Sequence, residues 1–516
     1  MNTENISSNI PRGTTLLVFQ AVASSAMGFL LFFIMLRFFD TTEMGVYSGI
    51  VFLSALLNPM GSLGLNFALP RFISFFNSKH EQSNINRLLR YSGYLIIGSS
   101  VFLTIFLLLF AEFLSLLLFQ TSNYTILFVI SSFMTGLAVV NITIVGILSG
   151  YKYLKELAVI LLVGHIFRII VSGALVIGNW GPSAIFIGWI INHIIVISLT
   201  ISVVFRKRSI KKDAIDISSF DMKHLLKFSL PLMVLSVFTY LTTSIDKAAI
   251  LGAGSIEDLG IYTVATTLIT LILSIIHSTL SMALIPVFSS SNRERIKWIT
   301  GKATKYLGIF VFPVCSIIAL GSPYLLQLMS SNPSFLYASL PLSYLAIGLI
   351  VQCFVVLVTT LLISQGYSGR VSAIFIVTSA LEFIFVWFST NYAGINGASL
   401  AKVMIYIVIL AFLYFSIFKT KMLQFNIPGI IVGVLSSLLL LPILGIIWIA
   451  NTTPLLSIII LVSITPLTVL FSLNLTGILE KQDIILICKF LPRGYWLSTK
   501  IVESKTLLKV IGIREK

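Results

Sequence analysis

Apolar runs of eighteen residues or more recur from residue 13 to residue 477, separated by short polar interruptions. A run of that length is what one helix needs to cross the ~30 Å hydrocarbon core of a bilayer at ~1.5 Å per residue. Taken in order, the runs predict fourteen spans, at about 13–37, 45–75, 90–118, 122–149, 154–178, 182–205, 225–252, 260–288, 300–328, 335–365, 369–391, 395–418, 428–450 and 454–477. They lack the ten-residue alternation of barrel strands, so helices, which satisfy their own backbone in lipid, are the expected element. The first run follows a largely polar stretch of twelve residues and is too long for the core of a cleaved signal, so it is expected to remain as the first helix.

Charge turns these spans into a topology. The chain has 516 residues, 57% hydrophobic and only 10% charged, which excludes an ordinary soluble protein. Of 34 Lys and Arg, 29 fall in the N-terminal segment, the even-numbered loops or the C-terminal tail. The odd-numbered loops hold none. Basic residues gather on the cytoplasmic side, so both termini and all even loops are expected inside a multi-pass protein of the plasma membrane. The net charge of +16 then reflects topology and anionic lipid, with no basic domain to bind nucleic acid. The remaining five cations, Arg37, Arg71, Arg168, Lys247 and Lys402, lie inside spans.

The chain also repeats itself. "TTEMGVYSGI" around Gly45 and Tyr47 matches "IEDLGIYTVA" around Gly260 and Tyr262, and "ALPRF" at Pro70 matches "LIPVF" at Pro286. "ILSGYKYLKELA" at Gly150 matches "LISQGYSGRVSA" at Gly366, and Asn179 in "GNWGPSAIFIGWI" matches Asn391 in "TNYAGINGASLAK". The offsets are 215, 216, 216 and 212 residues. Paired segments share one orientation, so a parallel repeat about an axis along the membrane normal is expected. The expected organisation is a six-helix lobe at 10–205, a basic cytoplasmic linker at 206–227, and a second six-helix lobe at 228–418. Two additional helices follow at 428–477, then a basic amphipathic cytoplasmic tail at 478–516.

"FFDTTEMGVYS…LNFALPRF", "LLKFSLPLMVLSVFTYLTTSIDKAAILGAGSIEDLGIYTVA" and "NYAGINGASLA" resemble the polysaccharide-export flippases. These are the O-antigen and teichoic-acid type within the multidrug/oligosaccharidyl-lipid/polysaccharide exporter superfamily. The resemblance spans about residues 10–420, and "SIDKAAILG" followed by the Gly-Ile-Tyr turn is its most specific part. It implies a V-shaped two-lobe fold with a central cationic cavity. It also implies flipping of polyprenyl-diphosphate-linked oligosaccharides from the cytoplasmic to the outer leaflet by alternating access. Partners would be the lipid-linked cargo, membrane lipids, and a glycan polymerase or glycosyltransferases of the same pathway. Family members often have twelve spans, so the last two are a departure.

Ionisable residues at membrane depth are costly and point to function. In "LLVGHIFRIIV", His165 and Arg168 share a helix face at mid-span. They read as a cationic wall for a diphosphate, which a guanidinium binds bidentately, or as an interhelical contact, with Glu382 the candidate partner. His193 reads as cargo-facing or as an interhelical hydrogen bond, and His277 similarly. Arg37 and Lys247, near the outer ends of repeat-equivalent spans, are either a matched cationic pair at the outer mouth or snorkelling side chains. Lys402 is a further candidate for facing the cavity. Glu382 and Asp246 are candidates for coupling transport to Na+ or H+, with no other cofactor expected. Asn58 and Pro59 mark a bend in the second span, suited to a mobile gate or a fixed kink.

The absence of a G-x-x-x-x-G-K-[ST] loop excludes ATP binding by that route. The outer loops are about ten residues or fewer and their only charges are Asp40, Glu43, Glu257 and Asp258, which argues against an enzyme. A multidrug antiporter on the same scaffold is the alternative. It would favour acids over the five cations found in the spans.

Overall fold

The computed structural model describes residues 3–207, 222–418 and 422–478. Most of the linker expected at 206–227, and all but the start of the tail expected at 478–516, lie outside the described residues. Among those described, the chain forms fifteen α-helices. They are α1 (Thr3–Phe38), α2 (Thr41–Ser62), α3 (Leu65–Ser78), α4 (Gln82–Leu109), α5 (Ala111–Phe119), α6 (Thr125–Gly150), α7 (Leu154–Ile177) and α8 (Ser183–Lys207). After the linker come α9 (Met222–Ala253), α10 (Ile256–Ser290), α11 (Arg293–Met329), α12 (Ser339–Ser364), α13 (Ser368–Phe418), α14 (Ile427–Ile449) and α15 (Pro454–Thr476). Thirteen helical segments are long and apolar enough to cross a bilayer.

Thirteen becomes fourteen on inspection of α13. A continuous helix would carry Glu382 and Lys402, 20 residues apart, ~30 Å from each other. Their side chains instead meet at 3.3 Å. The backbone leaves the helical region at Ala393 and Gly394, the latter at φ 56°, so α13 is a hairpin of two spans. Glycine supplies the positive φ that a side chain resists. The second expected span is divided in the opposite manner. Leu63 (φ 52°) and Gly64 (φ 72°) separate α2 from α3 four residues after Pro59. Serines take carbonyls freed there: Ser62 Oγ donates to the Pro59 carbonyl at 3.0 Å, and Ser99 Oγ of α4 to that of Gly61 at 2.7 Å. Asn58 Oδ1 is buried without a hydrogen-bond partner among the described residues.

The chain divides into two compact units. The first comprises Met1–Thr279, Ser330–Phe335 and Ser372–Lys402; the second comprises Leu280–Met329, Leu336–Val371 and Val403–Lys516. In the first, one apolar core joins α3, α4 and α6 around Leu65, Ile73, Leu88 and Val139, and another joins α2, α6 and α8 around Ile50, Phe128 and Phe186.

The repeat is visible as a contact inside this unit. Asp40 Oδ1 accepts from the Glu43 N–H at 2.7 Å, and the Asp40 N–H donates to Glu43 Oε2 at 3.1 Å, capping α2 reciprocally. Ser255 and Asp258 cap α10 the same way, with both bonds at 3.1 Å. The two boxes are 215 residues apart, and their helices touch. A Cβ on Gly260 would collide with the Thr41 carbonyl and lie 2.9 Å from the Gly45 nitrogen. Thr42 Oγ1 donates to Glu257 Oε1 at 3.1 Å, and these are repeat mates. An inverted repeat would set the two N-termini at opposite membrane faces; here they meet at one.

In the second unit α11 packs closely on α14, where Gly308 faces the backbone of Gly429 and Gly433. Lys305 of α11 is 1% exposed, and its Nζ donates to the Ile478 carbonyl at 2.9 Å, tying down the end of α15.

Candidate functional site

Two polar clusters lie in the first unit, the first half-buried and the second buried, each beside one of the repeat-mate tyrosines. The first draws on α2, α6, α7 and α8. Gly164 and Gly188 let α7 and α8 approach closely. The Arg168 guanidinium carbon then sits 4.0 Å from the centroid of the Trp189 ring, a cation–π contact. Trp189 also stacks on His193, one turn along α8, at 5.5 Å between centroids and 26° between planes. The Asn141 side-chain amide of α6 hydrogen-bonds His193 Nδ1 at 2.6 Å. Tyr47 of α2 lies within electrostatic range of Arg168.

Arg168 is half-buried and lacks a paired acid among the described residues. Its Nε is buried without a hydrogen-bond partner, and no carboxylate lies within ion-pair distance among the described residues. His165, on the same face of α7, is half-buried. Glu382, considered above as a partner for Arg168, belongs to the other cluster.

That second cluster draws on α9, α10 and both arms of α13. Lys402 Nζ lies 2.6 Å from Asp246 Oδ2 and 3.3 Å from Glu382 Oε1, and donates to the Thr243 carbonyl at 2.9 Å. Tyr262 O–H donates to Asp246 Oδ2 at 2.6 Å, and the Lys247 N–H to Asp246 Oδ1 at 3.0 Å. Asp246, Glu382 and Lys402 are 1%, 0% and 3% exposed. Helical rise places Asp246 and Tyr262 ~10 Å below the ends of α9 and α10, and Lys402 ~12 Å below the α13 bend. These three depths agree.

The other expected site residues are dispersed. Arg37 is exposed at the end of α1, over the Phe33 ring at 5.2 Å and with Nη1 3.5 Å from Ser331 Oγ. The Lys247 side chain is half-buried on α9 and, one residue from Asp246, points ~100° away from it. His277 is exposed on α10. Asn58 and Pro59 stand at the α2–α3 break. Reasoning from sequence missed Trp189, Asn141, Tyr47 and Tyr262. The tyrosines were visible as repeat matches but carried no charge to mark them. No group of three or more metal-ligating side chains occurs among the described residues.

The polysaccharide biosynthesis protein family matches residues 34–333. No protein of curated function matches the chain in sequence. Among solved structures, the lipid II flippase MurJ in its inward closed conformation superposes with a TM-score of 0.70 at 17% identity, covering 88% of this chain and 98% of that one. An inward-facing multidrug resistance transporter of the MATE family, in the MOP superfamily, gives 0.63 at 15% identity, over 77% of this chain and 95% of that one. A MOP superfamily transporter from Pyrococcus furiosus, described as having a binding pocket of reversed polarity, gives 0.55 at 14% identity, over 80% and 97%. These likenesses establish the fold of MurJ and the MATE transporters; the match over 34–333 establishes that the chain belongs to the polysaccharide biosynthesis protein family.

Proposed function

We propose that the protein is a flippase that carries a polyprenyl-diphosphate-linked oligosaccharide from the cytoplasmic to the outer leaflet by alternating access between two six-helix lobes. Both termini are cytoplasmic, as the loop charges require. The observation that carries the reading is Arg168: a guanidinium at mid-span, braced on Trp189, with no acid neutralising it among the described residues. Such a group has its charge and donor fork available to an anionic ligand. A diphosphate supplies oxygens in the geometry the fork matches. His165, on the same face of α7, adds an imidazole able to hydrogen-bond beside the guanidinium. Membership in a polysaccharide biosynthesis family and a fold shared with a lipid II flippase both support a lipid-linked glycan as cargo. The two deeply buried acids, Asp246 and Glu382, are held by Lys402, which leaves neither free for a cationic drug.

The test is transport of a fluorescent polyprenyl-diphosphate sugar in proteoliposomes. Wild type should move the probe across the bilayer. Arg168→Ala should reduce transport to background at unchanged expression and insertion, and Arg168→Lys should restore part of it. Normal transport by Arg168→Ala would end this reading of the site.

A further inference from the structure

The Asp246–Lys402–Glu382 cluster has a charge problem that its geometry resolves in one way. The lysine ammonium has three N–H donors, and three acceptors surround it: Asp246 Oδ2 at 2.6 Å, the Thr243 carbonyl at 2.9 Å and Glu382 Oε1 at 3.3 Å. The cation position is therefore filled and its donors used. Two carboxylates against one ammonium leave one uncompensated negative charge if both acids are ionised. All three side chains are at most 3% exposed, where such a charge is heavily penalised. Asp246 is the better stabilised acid, accepting from Tyr262 O–H, the Lys247 N–H and Lys402. Glu382 has only the longer Lys402 contact, and its Oε2 is buried with no hydrogen-bond partner among the described residues. An unpartnered neutral O–H costs less in such a place than an unpartnered anionic oxygen.

The geometry points to a proton-binding site on Glu382 Oε2, in which Lys402 permanently occupies the place a metal cation would take. The ionisable groups around it are Asp246, Lys247 and Tyr240 from α9, Tyr262 from α10 and Lys402 from the second arm of α13. Tyr240 is occupied elsewhere, its hydroxyl donating to the Phe52 carbonyl at 3.1 Å. With the proton on Glu382 the cluster is neutral and dry. Its release leaves a charge that only a wetter arrangement of α9, α10 and the α13 hairpin tolerates. Proton occupancy thereby biases the conformational equilibrium of these helices. Calling this proton the coupling ion rests on the transport reading above. Its binding does not, and is measured without cargo.

Full-length protein in nanodiscs is titrated with NaCl, against choline chloride at equal ionic strength, while its melting temperature is followed. Wild type should respond identically to the two salts. Lys402→Ser vacates the cation position and should acquire a saturable, sodium-specific rise of about 2 °C, lost again when Asp246→Asn is added. In parallel, the pH-difference infrared spectrum of wild type should carry a protonated-carboxyl band that Glu382→Gln removes and Glu112→Gln leaves in place. A sodium-specific rise in wild type, a folded Lys402→Ser protein indifferent to sodium, or a spectrum without a Glu382 band each overturns the inference. If Lys402→Ser fails to fold, the wild-type titration and the infrared band decide it.

Discussion

Tyr47 and Tyr262 occupy equivalent positions in the two repeats, six residues into α2 and α10, yet they face opposite electrostatic arrangements. Beside Tyr47 is one cation, Arg168, without a counter-charge among the described residues and supported by an aromatic ring. Beside Tyr262 are one lysine and two acids, whose charges balance when Glu382 holds a proton. One backbone scaffold thus holds an open charge on one side and a closed one on the other. The difference comes from the helices packed against the tyrosines. Trp189 of α8 aligns, through the Asn179–Asn391 match, next to the position of Lys402 in the second half. The ring braces a cation, whereas the lysine supplies one. An open charge waits for a ligand from outside, and a closed one has little to gain from a second cation. On the function proposed above, a duplicated fold would in this way separate cargo recognition from ion handling without changing its helices.

The largest effect that tests this contrast is on transport. Replacing Arg168 by Ala removes the open charge, and hydrogen bonds to a charged group are worth roughly 1.5–3 kcal/mol each. A bidentate contact then predicts a fall of about a hundredfold or more in flipping rate, read in proteoliposomes. Stability should move the other way. Arg168→Met removes a desolvated cation and an unpaired Nε from an apolar helix contact, so the variant should unfold at the same temperature as wild type or slightly above it.

Lys402→Met should behave in the opposite sense. It leaves the Asp246 carboxylate, 1% exposed, without its ammonium, and breaking a buried pair of this kind costs about 3–5 kcal/mol. Thermal unfolding should show the loss, and adding Asp246→Leu and Glu382→Leu should recover much of it, since a well-packed apolar replacement is often neutral. If Arg168→Met and Lys402→Met destabilise equally, the distinction between an open and a closed charge fails.

The sequence makes some of this legible. The spans are read directly from apolar run length, because lipid leaves the backbone no alternative to a helix. The hairpin in α13 is read too, since "NYAGING" interrupts its run with Asn391 and Gly394. Gly45, Tyr47, Gly260 and Tyr262 are read as repeat mates because short polar-to-apolar transitions carry more information than long apolar runs. Pairing is harder. Asp246, Glu382 and Lys402 each stand out as charges within spans, but Asp246 and Lys402 lie 156 residues apart. Nothing in run length says which helices become neighbours, so Glu382 is as easily assigned to Arg168. Trp189 is hidden for another reason: an aromatic among apolar residues looks like any other lipid-facing or core side chain until a guanidinium is found over its ring.

A smaller effect is expected where the repeats meet. Gly260→Ala places a methyl group against the Thr41 carbonyl and the Gly45 nitrogen, and neither backbone atom can turn aside as a side chain would. Overpacking of this kind costs about 1–3 kcal/mol. Gly45→Ala meets the Ile256 carbonyl and should cost a similar amount. The double variant should lose less than the sum of the two, because the first separation of α2 from α10 makes room for the second methyl.

The smallest effect concerns the bond between repeat mates. Thr42 Oγ1 donates to Glu257 Oε1 at 3.1 Å across the α2–α10 contact, at an exposed position. Thr42→Val removes the donor and keeps the shape. Exposed polar contacts of this kind are worth about 0.2–1 kcal/mol, so thermal unfolding of Thr42→Val should differ from wild type by no more than that. The informative quantity is the coupling. In a double-mutant cycle with Glu257→Gln, the two losses should fail to add by about 0.5 kcal/mol if the bond joins the helix ends in solution. The corresponding cycle between Asp40→Asn and Asp258→Asn, which belong to separate capping boxes, should show additivity. Coupling in the second cycle and none in the first would mean that the repeats meet through their caps, and that Thr42 and Glu257 are merely adjacent.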